Sequence, residues 1–229
     1  MKSTIKFGSV SGIGLFVHWT FLVMMVGIFG FYVYNGLSVV ASLMGLALVM
    51  TVFGCIVLHE LGHAFMARSF KIPTIDITMY PIGGVARLSH MPREPKQEFL
   101  IAIAGPAVNL GIAAVLYVVN QIIGAPLSMA EALTPQGNVL SMLMWLNLGL
   151  VVFNMLPAFP MDGGRVLRAA LATQMDYTNA THVACLIGQG LAFVFAIYGI
   201  FYGMWTLPFV AVFVFMAARQ EVQHVVERG

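Results

Sequence analysis

Apolar stretches long enough to cross a bilayer alternate with short polar segments along most of this chain. A helical crossing needs about 20 apolar residues, and by that measure spans are predicted at 15–34, 39–70, 99–123, 139–155, 183–202 and 206–218. Trp19, Tyr32 and Tyr34 stand at the two ends of the first span like interfacial aromatics. The segment before it, Met1 to Gly14, is polar and lightly basic and carries no A-x-A-like cleavage site, so the first span is expected to be retained. A single helix over 183–218 would exceed about 50 Å, which predicts a turn near Gly203 to Pro208 and a short last span. Between the second and third spans the period changes. Thr74 to Ser89 shows some alternation of apolar and polar residues around Pro81-Ile-Gly-Gly84, the pattern of a small β-hairpin at the membrane surface. The fold class expected is an all-α polytopic membrane protein of about six transmembrane helices, with that hairpin between helices 2 and 3, forming one domain over 1–229.

Composition agrees with this reading and charge orients it. Hydrophobic residues make up 60% of the chain and charged residues 9%, against the roughly one-quarter charged residues of a soluble domain. The net charge of +2 gives no footprint for nucleic acid. Lysine and arginine fall before the first span, between the second and third, between the fourth and fifth, and after the sixth. With six crossings these segments share one side, which the positive-inside rule makes cytoplasmic, so both termini are expected there. Cys55 and Cys185 lie in apolar runs and read as small buried hydrophobes rather than a disulfide.

Against this apolar background the polar residues stand out. His59-Glu-Leu-Gly-His63 sits within the second span. Residues four apart project from one face of a helix, so His59 and His63 can grip one metal ion, with Glu60 beside it to carry a proton between attacking water and a leaving amine. Each ionisable residue deep in a membrane costs a few kcal/mol, so three together demand a role. Catalytic zinc commonly takes three protein ligands. Glu131 falls on the wrong side for the third. His90 and His224 lie in polar surroundings and read as surface residues, His182 as a cap or surface residue, and His18 as a structural group or a substrate contact. Asp162 is the better candidate, because Asn154-Met-Leu-Pro-Ala-Phe-Pro-Met-Asp-Gly-Gly-Arg165 cannot be continuous helix. A broken segment at membrane depth has to be buried in protein or line a wet cavity. A short helix over 164–173 is expected after it, with Arg165 and Arg168 exposed. In the third span, Ala104-Gly-Pro-Ala-Val-Asn109 brings small residues for close packing and an asparagine that must face protein.

These four motifs, His59 to His63, Pro81 to Gly84, Ala104 to Asn109 and Asn154 to Arg165, resemble the site-2 protease family of intramembrane zinc metalloproteases. The resemblance runs over most of the chain. It implies one catalytic zinc ion held by His59, His63 and Asp162, Glu60 as general base and acid, and Asn154 as a group that holds substrate or the oxyanion. It implies hydrolysis of peptide bonds within or near transmembrane segments of membrane-anchored substrates, in the cell (inner) membrane of a prokaryote. At 229 residues there is no room for the PDZ or CBS modules common in the family, so a compact form is expected. The competing readings are a membrane zinc transporter, which would not need a glutamate beside its first histidine, and a non-catalytic metal-binding membrane protein. A prenyl-protein endopeptidase would need further ligands in a later span.

Overall fold

Both regular structures that the pattern calls for are present in the computed structural model, which describes residues 4–132, 134 and 137–227. In chain order they are β1 (Thr4–Val10), β2 (Ile13–His18), α1 (Trp19–Tyr34), α2 (Val39–Ser69), β3 (Thr74–Tyr80), β4 (Gly83–Leu88), α3 (Pro95–Ile122), α4 (Met129–Ala132), α5 (Val139–Asn154), α6 (Asp162–Leu171), α7 (Tyr177–Phe201) and α8 (Thr206–Glu227). Contacts divide them into two units, residues 1–90 with 107–149 and residues 91–106 with 150–229.

In the first unit the sheet is larger than expected. Four strands in the order β1-β2-β3-β4 replace the predicted two-stranded hairpin, and β2 pairs with β3 in parallel. Leu15 to His18, expected as the start of the first span, is therefore strand. A short apolar run does not itself distinguish strand from helix. Here β3, some 60 residues on, decides, through pairs such as Leu15 with Ile77. Helix α1 then begins at Trp19, capped by His18, whose Nδ1 lies 2.7 Å from Thr20 Oγ1. The sheet packs on α2 through Ile13, Leu15, Ile77, Leu61 and Ala64.

In the second unit α7 and α8 form a hairpin. A Cβ on Gly199 would stand 2.8 Å from Leu207 Cβ, so the missing side chain lets the two helices close up. Gly203 makes the turn at φ +70°, a backbone region that favours glycine. The segment before α6 is buried at Ala158 and Phe159, and Gly188 of α7 gives it room, since a Cβ there would meet Ala158 Cα at 2.9 Å.

Of the six expected spans, α2, α3 and α7 are long and apolar enough to cross a membrane. Helices α1 and α5, of 16 residues each, are apolar but shorter, about 24 Å against a hydrocarbon core of about 30 Å. Helix α7 starts six residues before the expected 183, because Asp176 caps it by accepting from the Asn179 N–H at 3.0 Å. Helix α6 likewise starts at Asp162 rather than 164, and α8 runs on past 218.

The largest correction concerns Arg168, expected to be exposed. It is buried within the second unit, donating to Glu98 of α3 from Nε at 2.9 Å and from Nη2 at 2.5 Å, and to Glu221 of α8 from Nη1 at 2.5 Å. The rings of Phe159 and Tyr177 lie 4.9 and 4.8 Å from its guanidinium carbon. A charge this deep stays inside only when paired and hydrogen-bonded, and both partners come from distant parts of the sequence.

Candidate metal centre

The C-terminal half of α2 shows one face to the sheet and another to chemistry. Leu61 and Ala64 pack on β2 and β3, while His59 and His63, one turn apart, bring their Nε2 atoms to 3.1 Å. Both histidines are buried. Two nitrogens bound at 2.0–2.1 Å to a tetrahedral ion stand about 3.3 Å apart, so the pair fits zinc with little adjustment.

Glu60, the residue between them in sequence, turns toward the sheet. Its Oε2 accepts the Ala86 backbone N–H at 2.9 Å, so strand β4 holds the carboxylate. The Pro81-Ile-Gly-Gly84 motif makes this approach possible. Gly83 turns the chain at φ +140°, and a Cβ on Gly84 would stand 2.8 Å from Glu60 Cγ and 3.3 Å from Met79 Sδ. Only a bare backbone lies this close to Glu60. Strand β4 is an edge strand of the sheet. A buried aspartate clasps it to β3: Asp76 accepts from Arg87 Nε at 2.7 Å and from Nη2 through its other oxygen. That hydrogen bond raises the Arg87 pKa further above its ordinary value.

His59 is itself oriented from behind. Its Nδ1 lies 2.5 Å from Oδ1 of Asn109, on α3, and Asn109 Nδ2 donates to Asn147 Oδ1, on α5, at 2.7 Å. Both asparagines are fully buried. Asn109 faces protein as its motif predicts, and Asn147 is a further residue that the four motifs do not include. The signal was available, since an amide in the middle of an apolar helix needs a partner that lipid does not provide.

The remaining histidines have surroundings of their own. His18 caps α1 and stacks on Tyr80, with ring centroids 5.1 Å apart, which is the structural reading. His90 is exposed and shares a contact with Ser89. His182 is exposed on α7, past the cap, and the His224 side chain lies outside the described residues. Cys55 is a buried free thiol one turn before His59, and its Sγ accepts from Asn147 at 3.5 Å. In the second unit, Asp162 is buried as the first residue of α6, with Arg165 Nη1 3.8 Å from its Oδ1. Asn154 ends α5 and donates from Nδ2 to Leu150 O at 2.9 Å. Gly163 and Gly164 are buried, and side chains there would collide with the backbone of Met155 to Phe159.

Comparisons with known proteins agree with this chemistry. The profile of Peptidase family M50 matches residues 47–125 and 118–197. Zinc metalloprotease MJ0392 of Methanocaldococcus jannaschii is 37% identical over 226 residues, covering 96% of this chain and 61% of that protein. Rip3 of Mycobacterium tuberculosis is 34% identical over 245 residues, covering 96% and 59%. The chain thus spans about three fifths of the length of these curated relatives. Among solved structures, the site-2 protease from Methanocaldococcus jannaschii is similar at a TM-score of 0.65 and 36% identity, over 96% of this chain and 95% of that one. Zinc is the metal named for the first relative, and it is the cofactor that the histidine pair fits. The chain belongs to peptidase family M50.

Proposed function

We propose that this chain is a zinc metalloendopeptidase that cleaves membrane-anchored proteins within or near their transmembrane segments. The observation that carries the reading is the buried His59 and His63 pair, with Nε2 atoms 3.1 Å apart, and the neighbouring Glu60 held by a backbone N–H of an edge strand. Asp162 is the third ligand in this proposal. Its carboxylate is buried at the start of α6, where the helix dipole favours a negative charge.

Bound there, zinc supplies Lewis acidity, polarising a carbonyl and making water a better acid near neutral pH. Glu60 takes the proton of the attacking water and returns it to the leaving amine. The Ala86 N–H keeps the Glu60 carboxylate in one place through both transfers. Asn154, once its amide turns from Leu150 O, is a donor for the developing oxyanion.

A helical substrate has its carbonyls tied up in its own hydrogen bonds and must unwind before attack. Strand β4, at the edge of the sheet and beside Glu60, is the place for the unwound segment to add as a further strand. Water reaches Glu60 from the side where the basic segments lie, which is cytoplasmic if the chain crosses six times with both termini inside. The setting is then the cell membrane of a prokaryote, as the relatives' organisms support. Helices α1 and α5 cross only if the bilayer thins around them or flanking residues extend the span.

The test is cleavage of a single-span substrate in detergent by the wild type and by Glu60→Gln, with bound zinc measured in both. The variant is expected to keep its zinc and lose cleavage. Equal cleavage by both overturns the assignment of Glu60 and with it the proposed mechanism.

A further inference from the structure

Behind the metal centre lies a chain of hydrogen bonds whose polarity is fixed at its far end. Asn147 Nδ2 donates to Leu143 O at 2.8 Å, and a backbone carbonyl can only accept. Its amide is therefore turned with Oδ1 toward Asn109, where it can only accept. Asn109 must then present Nδ2 to Asn147, at 2.7 Å, and Oδ1 to His59, at 2.5 Å. An amide oxygen cannot donate, so His59 Nδ1 has to carry the proton.

We propose that Asn147 is a positioning residue of the metal centre: through Asn109 it fixes His59 as the Nδ1–H tautomer and leaves Nε2 as a metal donor. The inference rests on the zinc reading of the histidine pair. Asn109 alone could not do this, because an amide flipped about its own axis would offer Nδ2 to His59 and favour the opposite tautomer. Asn147 excludes the flip, since Asn109 would then turn its own Oδ1 to the Asn147 Oδ1, leaving two acceptors face to face with no proton between them. All four polar residues of the chain, Asn147, Asn109, His59 and Cys55, are buried, at 8% exposure or less, so water offers no substitute partner. Outer partners of metal-bound histidines typically govern metal affinity by about 10- to 100-fold.

Two readouts test this in the full-length chain. The first is the 15N spectrum of His59 in zinc-free wild type, which reports the tautomer without any need for metal or activity. It should show Nδ1–H alone, and a dominant Nε2–H form overturns the proposal. The second is zinc affinity by chelator competition. Asn147→Leu should weaken zinc about 10- to 100-fold and give a mixture of His59 tautomers. Asn109→Asp replaces the amide by a carboxylate that accepts whichever way it is turned and no longer donates to Asn147 Oδ1, so adding Asn147→Leu to it should cause no further loss of zinc affinity.

An equal loss from Asn147→Leu in both backgrounds would mean a merely structural role and would overturn the proposal, as would no loss in either. Should Asn147→Leu fail to fold, the wild-type tautomer still decides. A wild type that takes up no zinc would refute the metal reading, while the tautomer would still test the relay.

Discussion

Removing the Arg168 guanidinium tests how the second unit holds α6, the helix that begins with Asp162. Arg168→Met keeps most of the side-chain volume between Phe159 and Tyr177 but takes two charged hydrogen bonds from Glu98, which is fully buried. The remaining contact of that carboxylate oxygen is the Tyr177 hydroxyl at 3.5 Å, at the limit of a hydrogen bond. Losing one partner of a buried pair costs about 3–5 kcal/mol, because a charge is left buried and uncompensated. Proton uptake sets a ceiling on the electrostatic part. An ordinary glutamate, with a pKa of about 4.3, takes up a proton at pH 7 at a cost of about 3.7 kcal/mol. Glu221 adds little, since it is 32% exposed and can be solvated again. A loss near 3.7 kcal/mol corresponds to a fall in Tm of roughly 7 to 15 °C for a chain of this size. The chain supplies its own reporter: Cys55 and Cys185 are buried free thiols, so a thiol-reactive dye follows unfolding in detergent. Because the variant's cost is that of a proton, it should shrink by about 1.4 kcal/mol for each unit the pH is lowered from 7 toward 5. Glu98→Gln in the same chain should recover most of the loss. A single variant that melts within about 2 °C of wild type, or a double variant no better than the single, refutes the reasoning.

Three further predictions concern the first unit's sheet, the end of α5 and the start of α7. Ala86→Pro removes the N–H that holds Glu60. Proline is tolerated on edge strands, so cleavage should fall while zinc stays bound; unchanged cleavage would remove β4 as both the support of Glu60 and the docking strand. Asn154→Ala should lower kcat by about 10²- to 10³-fold, the usual cost of one oxyanion donor, with zinc retained, and a change confined to KM would mark Asn154 as a substrate contact only. Asp176 caps α7, and its pKa is lowered from 3.8 chiefly by the backbone hydrogen bond from Asn179. A lowered carboxylate pKa gives stability that is full above the unfolded value and is lost as pH falls through the folded one. Hydrogen exchange at Asn179 and Ala180 should therefore show extra opening below about pH 3.8, and Asp176→Asn should weaken that dependence.

What could be read from the sequence and what could not differ in the distance over which the deciding contact acts. The histidine pair follows from a spacing of four on a helix, and the edges of α2 and the place of the β3–β4 hairpin follow from period and turn residues. All of these are decided by neighbours in the chain. The parallel pairing of β2 with β3 is decided by residues about 60 apart, and Arg168 by partners 70 and 53 residues away. Asn147 is decided by Asn109, 38 residues earlier. Taken alone, Leu15 to His18 extends the apolar run that follows it, and Arg168 on a short polar helix reads as solvated. The same apolar background that hides these partners also limits the alternatives. In a chain with 9% charged residues, a polar side chain in a long helix has few places to go. Asn109, Asn147 and Glu98 each had to find a partner, and each did so by joining helices far apart in sequence. At these three positions the polar residue marks a long-range contact without naming its partner, whereas Asn154 turns back to the Leu150 carbonyl of its own helix.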